Sequence, residues 1–358
     1  MVLKLFNLDL HVAVIADVKN VMKELYGNDV EITSWSISGH RKMFGLGPES
    51  VDVVNESTWT NINEDMIDSW NIRYSWFMLQ FDGFIVTHSP VFSMLFERYG
   101  KPIICVNSCR YDLPYCWTKQ PSNLNVALRR MVERKQLTIV SNNTNDQKYI
   151  KEGAGIVTPI IPSLCQYIGV KYSPIGEGAI LFGNTYYGRR ELFPPGEWLT
   201  YKPKNYSYQY VMRFKAIVHV PYDCSTMTMN EHYFAGCPLF FPTKRFYKQC
   251  VKDGSMEFTH FSNYGRSYTE EQMDAALEMA DCYTYPFIHY YDSYEECKRL
   301  IENFKDDDRA ERMKVIEKMK QDSLKSWKSL LPWTKKKIER EISGRARYAN
   351  EGINQSKE

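Results

Sequence analysis

The sequence predicts an α/β protein built of two Rossmann-like domains in tandem, each a parallel sheet covered by helices. Three observations predict it. At 358 residues the chain exceeds what one hydrophobic core usually serves, so two domains of ordinary size fit it better. Short apolar runs alternate with helix-patterned segments from the start, the rhythm of strand–helix–strand units. Near residues 170 to 178 a stretch rich in Pro and Gly interrupts that rhythm, after which it begins again.

Element by element, "HVAVIAD" reads as a strand followed by a helix over "VKNVMKELYG", and "VEITSWSI" as a second strand. "FDGFIVTH" is a strand, "PVFSMLFERYG" a helix and "KPIICVNS" a strand. The pattern continues through the helix "LNVALRRMVERK", the strand "LTIVSNN", the helix "TNDQKYIKEG" and the apolar "IVTPIIPSL". The expected boundaries are a first domain over 1–172, a second over 178–330 and a helix with a basic tail over 331–358. The second domain opens with "AILFGNT" and ends in charged amphipathic helices over "TEEQMDAALEMA", "SYEECKRLIENF" and "RAERMKVIEKMKQDSLKSWKSLL".

Composition narrows the partners. With 44% hydrophobic and 25% charged residues the chain can bury a sizeable core. A formal charge of +2 is too near neutrality for electrostatic capture of nucleic acid or an anionic membrane, so an anionic ligand must be met locally. No stretch approaches the roughly 20 apolar residues of a membrane span. Nine cysteines without CxxC pairs suit reduced thiols, and the opening "MVLKLFNLDLHVAVIADVKN" lacks the features of a signal peptide; the expected location is the cytoplasm. Cys105, Cys109 and Cys116 lack the spacing and the fourth ligand of a zinc site.

The chemistry concentrates in "AIVHVPYDCSTMTMNEHYFAGCPLFFP", Ala216 to Pro242: a strand, a small-polar cluster, a short helix, a Gly-Xaa-Pro break and a second strand. Tyr222, Ser225 and Thr226 fall where a parallel strand gives way to a helix, the edge at which open α/β sheets bind ligands. Free backbone N–H groups and the helix dipole there suit a diphosphate, and Ser225, Thr226 and Thr228 add hydroxyls. Glu231 can accept two hydrogen bonds from a ribose diol. The alternative for Thr228 and Glu231 is a capping box that binds nothing.

Glu five residues before a Gly, with Pro two after it and a Ser/Thr cluster upstream, resembles the donor-binding segment of GT-B glycosyltransferases. That resemblance implies two Rossmann-like domains facing across a cleft, the acceptor mainly on the first and the nucleotide sugar on the second. "DLHVAVIADVK", "SWSISGH", "FDGFIVTHSPVF", "KPIICVNSCRYD", "IVSNNTND" and "IPSLCQYIG" are similar to a glycosyltransferase group of large DNA viruses of algae and their hosts, loosely related to exostosin-like enzymes. Viral members build the glycans of the major capsid protein, some transferring xylose, which makes UDP-xylose the first donor to expect, with an oligosaccharide or glycoprotein acceptor and, if viral, the host cytoplasm as location.

For an inverting transfer the resemblance implies a base at the C-terminal edge of the first sheet. Asp17 after "HVAVIA", His40 after "EITSWSIS" and His88 after "FDGFIVT" are the candidates, in that order, against the plainer readings of a helix cap for Asp17 and backbone-bonded loop residues for the histidines. Arg189, after the second domain's first strand, is the expected diphosphate ligand, with Arg190, Lys215 and Lys244 as alternatives. Arg110 and Tyr111 are expected on the acceptor side, and Trp59 either stacks on a sugar or anchors a loop in the core. Asp306 to Asp308 follows no strand and reads as a helix-start charge run rather than a metal-binding DxD, so no cofactor or catalytic metal is expected. The motifs GxxxxGK[ST], HExxH, GxSxG and GxGxxG are absent. Two other functions stay open: a non-catalytic carbohydrate- or nucleotide-binding protein, and a nucleotide-sugar epimerase.

Overall fold

A computed structural model of the chain describes residues 2–38, 51–118, 123–176, 178–183, 190–201, 207–262 and 266–333. Among the described residues ten strands form two five-stranded parallel sheets. The first holds β1 (Leu3–Asp9), β2 (Val30–Ser36), β3 (Gly83–His88), β4 (Ile103–Asn107) and β5 (Leu137–Ser141) in the order β2-β1-β3-β4-β5. The second holds β6 (Ala179–Phe182), β7 (Leu199–Thr200), β8 (Ala216–His219), β9 (Leu239–Pro242) and β10 (Ile288–Tyr291) in the order β10-β9-β8-β6-β7. Counted from each sheet's own first strand, both orders are 2-1-3-4-5. Each sheet therefore has a topological switch point, between β1 and β3 and between β6 and β8. The expected fold class, α/β with two Rossmann-like sheets, is the fold observed.

The strands of the first sheet lie within 1–172 and those of the second within 178–330. By packing, the chain parts into one unit of Met1–Asn107, Ser122–Val140 and Ser323–Glu358, and another of Ser108–Pro121 and Ser141–Asp322. The helix Arg309–Leu330 thus begins in the second unit and ends in the first.

The start of the chain differs from the expected element order. β1 is "LKLFNLD", and the apolar run "VAVIAD" opens the helix Val12–Tyr26. Val14, Ile15, Val18, Val21 and Met22 are buried at helical spacing, so the aliphatic run serves one helix face rather than a sheet. "PVFSMLFERYG" forms two 3₁₀ segments, Pro90–Leu95 and Glu97–Tyr99, rather than an α-helix. The Pro at its start tolerates the tight turn, and all six residues of the first segment are buried.

The first sheet packs on aromatic rings. Trp35 stacks on Phe77 with centroids 5.3 Å apart, and Phe6 meets Trp35 edge-on at 5.1 Å, which fixes the helix Glu64–Met78 against β1 and β2. A Cβ added to Gly83 at the start of β3 would lie 2.2 Å from the Trp333 ring and 2.9 Å from the Pro102 carbonyl oxygen. The Tyr26 hydroxyl donates to the Trp333 carbonyl at 2.5 Å, so one glycine and one tyrosine seat the returning chain on the first unit. Among the described residues no helix is long and apolar enough to cross a membrane.

Candidate functional site

β8 is buried along its whole length and ends at His219. The chain then runs through Val220 to Thr226 into the helix Met227–Phe234. Two anchors hold this connection. The Tyr222 carbonyl accepts from the Thr259 amide at 2.8 Å and from the Thr259 hydroxyl at 2.9 Å, and the Cys224 carbonyl accepts from the Asp281 amide at 2.9 Å. At the end of β6, Gly183 lets the backbone pass Val220, because a Cβ there would lie 2.9 Å from that of Val220. The result is an open pocket of about 390 Å³ at the C-terminal edge of the second sheet, on its switch point.

Its floor is ring-rich. Phe182, His219 and Phe241 close the ends of β6, β8 and β9, with His219 stacked on Phe241 at 4.9 Å. One wall is the connection itself, Tyr222 to Thr226, with Thr228 and Met229 from the first turn of the helix. Behind the floor His219 Nε2 lies 3.1 Å from His232 Nδ1. Burial holds the His219 imidazole down to about 3, and burial with the neighbouring ring holds His232 well below its ordinary value, so the pair is neutral at physiological pH.

The helix is capped by Thr226, whose hydroxyl accepts from the Met229 amide at 3.3 Å. This removes the capping-box alternative for Thr228 and Glu231, which lie inside the helix. Glu231 instead accepts from the hydroxyls of Tyr167 and Tyr208, the latter at 2.9 Å, and burial raises its carboxyl. It is not among the residues lining the pocket.

Two buried polar groups back the pocket wall. The Ser225 hydroxyl donates to Asp281 Oδ2 at 2.5 Å. Burial, with Asp146 and Asp223 nearby, pushes the Asp281 carboxyl up to about 7 against that hydrogen bond. Asp223 lies 2.6 Å from His260 Nδ1 and 3.6 Å from the Arg110 guanidinium, which also approaches Asp146 at 3.4 Å and the His260 ring at 2.9 Å. Burial opposes the Asp223 charge, but Arg110 and His260 outweigh it and hold the carboxyl below its ordinary value. Ligand atoms of Asp223, Cys224 and His260 lie within 4.8 Å of one another, the spacing of a metal site. The guanidinium beside His260 repels a dication there, Asp223 and His260 are bonded to each other, and the Cys224 thiol donates to the Ala276 carbonyl at 3.5 Å.

The structure thus brings together Tyr222, Ser225, Thr226 and Thr228 of the expected donor residues. Lys244 lies elsewhere, beginning the helix Lys244–Lys252 with its Nζ 2.7 Å from Glu278 and 5.5 Å from the Tyr283 ring centroid. Arg189 and His40, and the side chain of Arg190, lie outside the described residues. Arg110 is buried in the cluster above, and Tyr111 is buried against Tyr149 at 5.6 Å. Trp59 is buried beside Phe92 at 6.3 Å, as the core-anchor alternative requires. Asp306 pairs with Arg312 at 2.8 Å just before the helix Arg309–Leu330, which fits the helix-start reading of that acidic run.

At the first sheet, Asp17 stands in the second turn of the helix Val12–Tyr26 instead of following a strand. The carboxyl that ends the first strand is Asp9, aligned with Ser36 of β2 and Thr87 of β3 at that sheet's switch point. It is fully buried, Oδ1 accepts from the Ser36 hydroxyl at 2.8 Å, and among the described residues Oδ2 has no hydrogen-bond partner. Burial pushes its carboxyl up to about 7, against Ser36 and the charge of Lys19. His88 ends β3 with φ +75° and its ring 5.4 Å from that of His11. A non-glycine residue in the left-handed region at a strand end is a strained position of the kind that gathers at functional sites. Sequence reasoning missed Asp9, His219, His260 and Asp281; the signal for Asp9 and His219 was available, since each is the last residue of an apolar run.

No family model matches the sequence, and no curated protein matches it. The structure is similar to a UDP-N-acetylglucosamine 2-epimerase (13% identity, 88% of this chain and 91% of that one, TM-score 0.46). It is similar to the glycosyltransferase SnogD from Streptomyces nogalater (11%, 89% and 95%, 0.45) and to MurG of Acinetobacter baumannii (9%, 89% and 95%, 0.43). At TM-scores below 0.5 these likenesses say nothing of this chain's activity.

Proposed function

We propose that the chain is a GT-B glycosyltransferase that moves a sugar from a nucleotide-diphosphate donor to a hydroxyl of a glycan. The observation that carries this reading is the pocket at the second sheet's switch point, walled by the connection Tyr222 to Thr226 and by the helix start behind it. Amide groups at that helix start, the positive end of its dipole and the hydroxyls of Ser225, Thr226 and Thr228 are the groups a diphosphate needs. The ring floor of Phe182, His219 and Phe241 suits the flat nucleoside.

In the reaction the acceptor oxygen attacks the anomeric carbon as the bond to the diphosphate breaks. The leaving charge falls on the amides and hydroxyls of the connection, so this reading asks for no catalytic metal. The acceptor's proton passes to a base, and Asp9 replaces Asp17 as the residue to test for that role: it ends the first strand, its Oδ2 has no hydrogen-bond partner among the described residues, and burial pushes its carboxyl up to about 7. The first donor to test is UDP-xylose, the acceptor a capsid-type glycan, both from the family resemblance.

A panel of UDP-xylose, UDP-glucose, UDP-N-acetylglucosamine and GDP-mannose is expected to contain at least one compound that raises Tm, by mass action on the folded state. Asp9→Asn is expected to keep that stabilisation and lose transfer by 10²-fold or more, on the order of a general base's contribution. A panel without any stabilising member overturns the reading, and full transfer by Asp9→Asn moves the base to His88.

A further inference from the structure

Asp281 has no part in the function proposed above, yet it stands directly behind a pocket-lining hydroxyl. It is 5% exposed, its Oδ2 accepts the Ser225 hydroxyl at 2.5 Å, and Ser225 is one of the residues that line the pocket. The Ser225 hydroxyl has one hydrogen. While Asp281 is ionised, that hydrogen is committed to the carboxylate, and Ser225 turns only lone pairs toward the pocket. An anion arriving there meets an acceptor instead of a donor, with a second negative charge close behind it.

We propose that the anion subsite is a protonated pair: the diphosphate binds together with a proton that goes onto Asp281, and this turns the Ser225 hydroxyl from the carboxylate to the ligand. The protonated Asp281 donates through Oδ2 to the Ser225 oxygen, and Ser225 donates to a phosphate oxygen. The one covalent change is the O–H bond formed on Asp281 Oδ2, with the proton taken from solvent. The inference rests on the donor reading of the pocket and adds a coupling to it.

The surroundings of Asp281 favour the protonated form. Asp146 faces it from the helix Thr144–Ala154 and Asp223 from the connection after β8, both negative. The thiols of Cys224 and Cys282 and the phenol of Tyr285 are held neutral by burial. Arg110 and His260 are turned to Asp146 and Asp223 and not to Asp281. Burial and these two carboxylates push the carboxyl up to about 7, and a bound diphosphate shifts it further up. Linkage then requires that affinity fall as pH rises above the midpoint.

The test is calorimetric titration of the full chain with whichever nucleotide sugar of the panel binds, in phosphate and in Tris, from pH 6 to 9. A nucleotide sugar is used rather than the free diphosphate because its phosphates do not titrate there, whereas a terminal phosphate has a pKa of about 6. The expected result is net proton uptake on binding and a Kd that weakens about tenfold per pH unit above the midpoint. Asp281→Asn, whose amide donates permanently to Ser225, is expected to bind with the low-pH affinity and a flat profile. Ser225→Ala, which removes the hydroxyl without touching the carboxyl, is expected to bind weakly at every pH. Binding without proton exchange in the wild type, or an unchanged pH profile in both variants, overturns the coupling and leaves the donor reading standing. Failure of every nucleotide sugar to bind overturns both.

Discussion

Among single residues, Glu231 illustrates how a residue type can be right for one role and be used for another. A carboxylate on the first helix after a Ser/Thr cluster suits a ribose diol, yet its Oε1 takes two tyrosine hydroxyls and it does not line the pocket. Removing it takes a shared acceptor away from two half-buried phenols, and a hydrogen bond that loses its acceptor away from bulk water costs about 1–3 kcal/mol. Glu231→Ala is therefore expected to lower stability by about 2–3 kcal/mol, read as a shift in the urea midpoint, while nucleotide-sugar affinity changes less than threefold. The opposite pattern, lost affinity at unchanged stability, would return Glu231 to the ribose. Tyr167 and Tyr208 lie 64 and 23 positions away, so no local pattern could reveal this.

The elements show where periodicity was sufficient and where it was not. β2, β3, β4 and the helix Thr144–Ala154 match the expected segments, because β-branched runs bounded by polar turns have one reading. "VAVIAD" had two: the run is apolar enough for a buried strand, and only the pairing of Leu3–Asp9 with both β2 and β3 leaves it to be a helix. That shift of one element carried the base assignment from Asp17 to Asp9. Gly83 is a case the sequence could not flag, since its neighbour Trp333 comes from the far end of the chain. Gly83→Ala is expected to cost about 1–3 kcal/mol through overpacking against that ring and the Pro102 carbonyl. Chemical denaturation should report it, and recovery of stability in Gly83→Ala combined with Trp333→Leu would place the clash.

For the whole molecule, buried titratable groups give the two units opposite responses to acid. In the first unit the folded state holds Asp9 protonated up to about pH 7, whereas an unfolded Asp releases its proton near 3.9. Its folded pKa is raised, so that group's stability contribution is present at low pH and falls as pH rises from about 4 to 7. In the second unit His219 and His232 are neutral when folded and take up protons near 6.5 when unfolded. Their folded pKa values are depressed, so stability falls as pH drops below about 6.5, by up to about 1.4 kcal/mol per unit for each ring. The raised carboxyls of Asp281, Glu231 and Asp112 oppose this over part of the window, and His289, whose imidazole burial also lowers, adds to the two fully buried rings. Calorimetric scans at pH 7.5 and 5.0 are expected to show one transition rising and another falling. A single transition at both values would show that the units unfold together.

From the sequence alone follow the α/β class, the two parallel sheets and the polar connection after β8, since hydrophobic periodicity and turn residues are local properties. The pocket-lining residues Tyr222, Ser225, Thr226 and Thr228 were legible for the same reason: they sit at one strand-to-helix junction. Tertiary structure decided the strand orders, hence both switch points, and the partners of every buried charge. Asp281 meets Ser225 across 56 positions and Arg110 meets His260 across 150. Such pairings follow from the long-range packing of whole elements, and a carboxylate's neighbours in space, not in the chain, set whether it holds its proton.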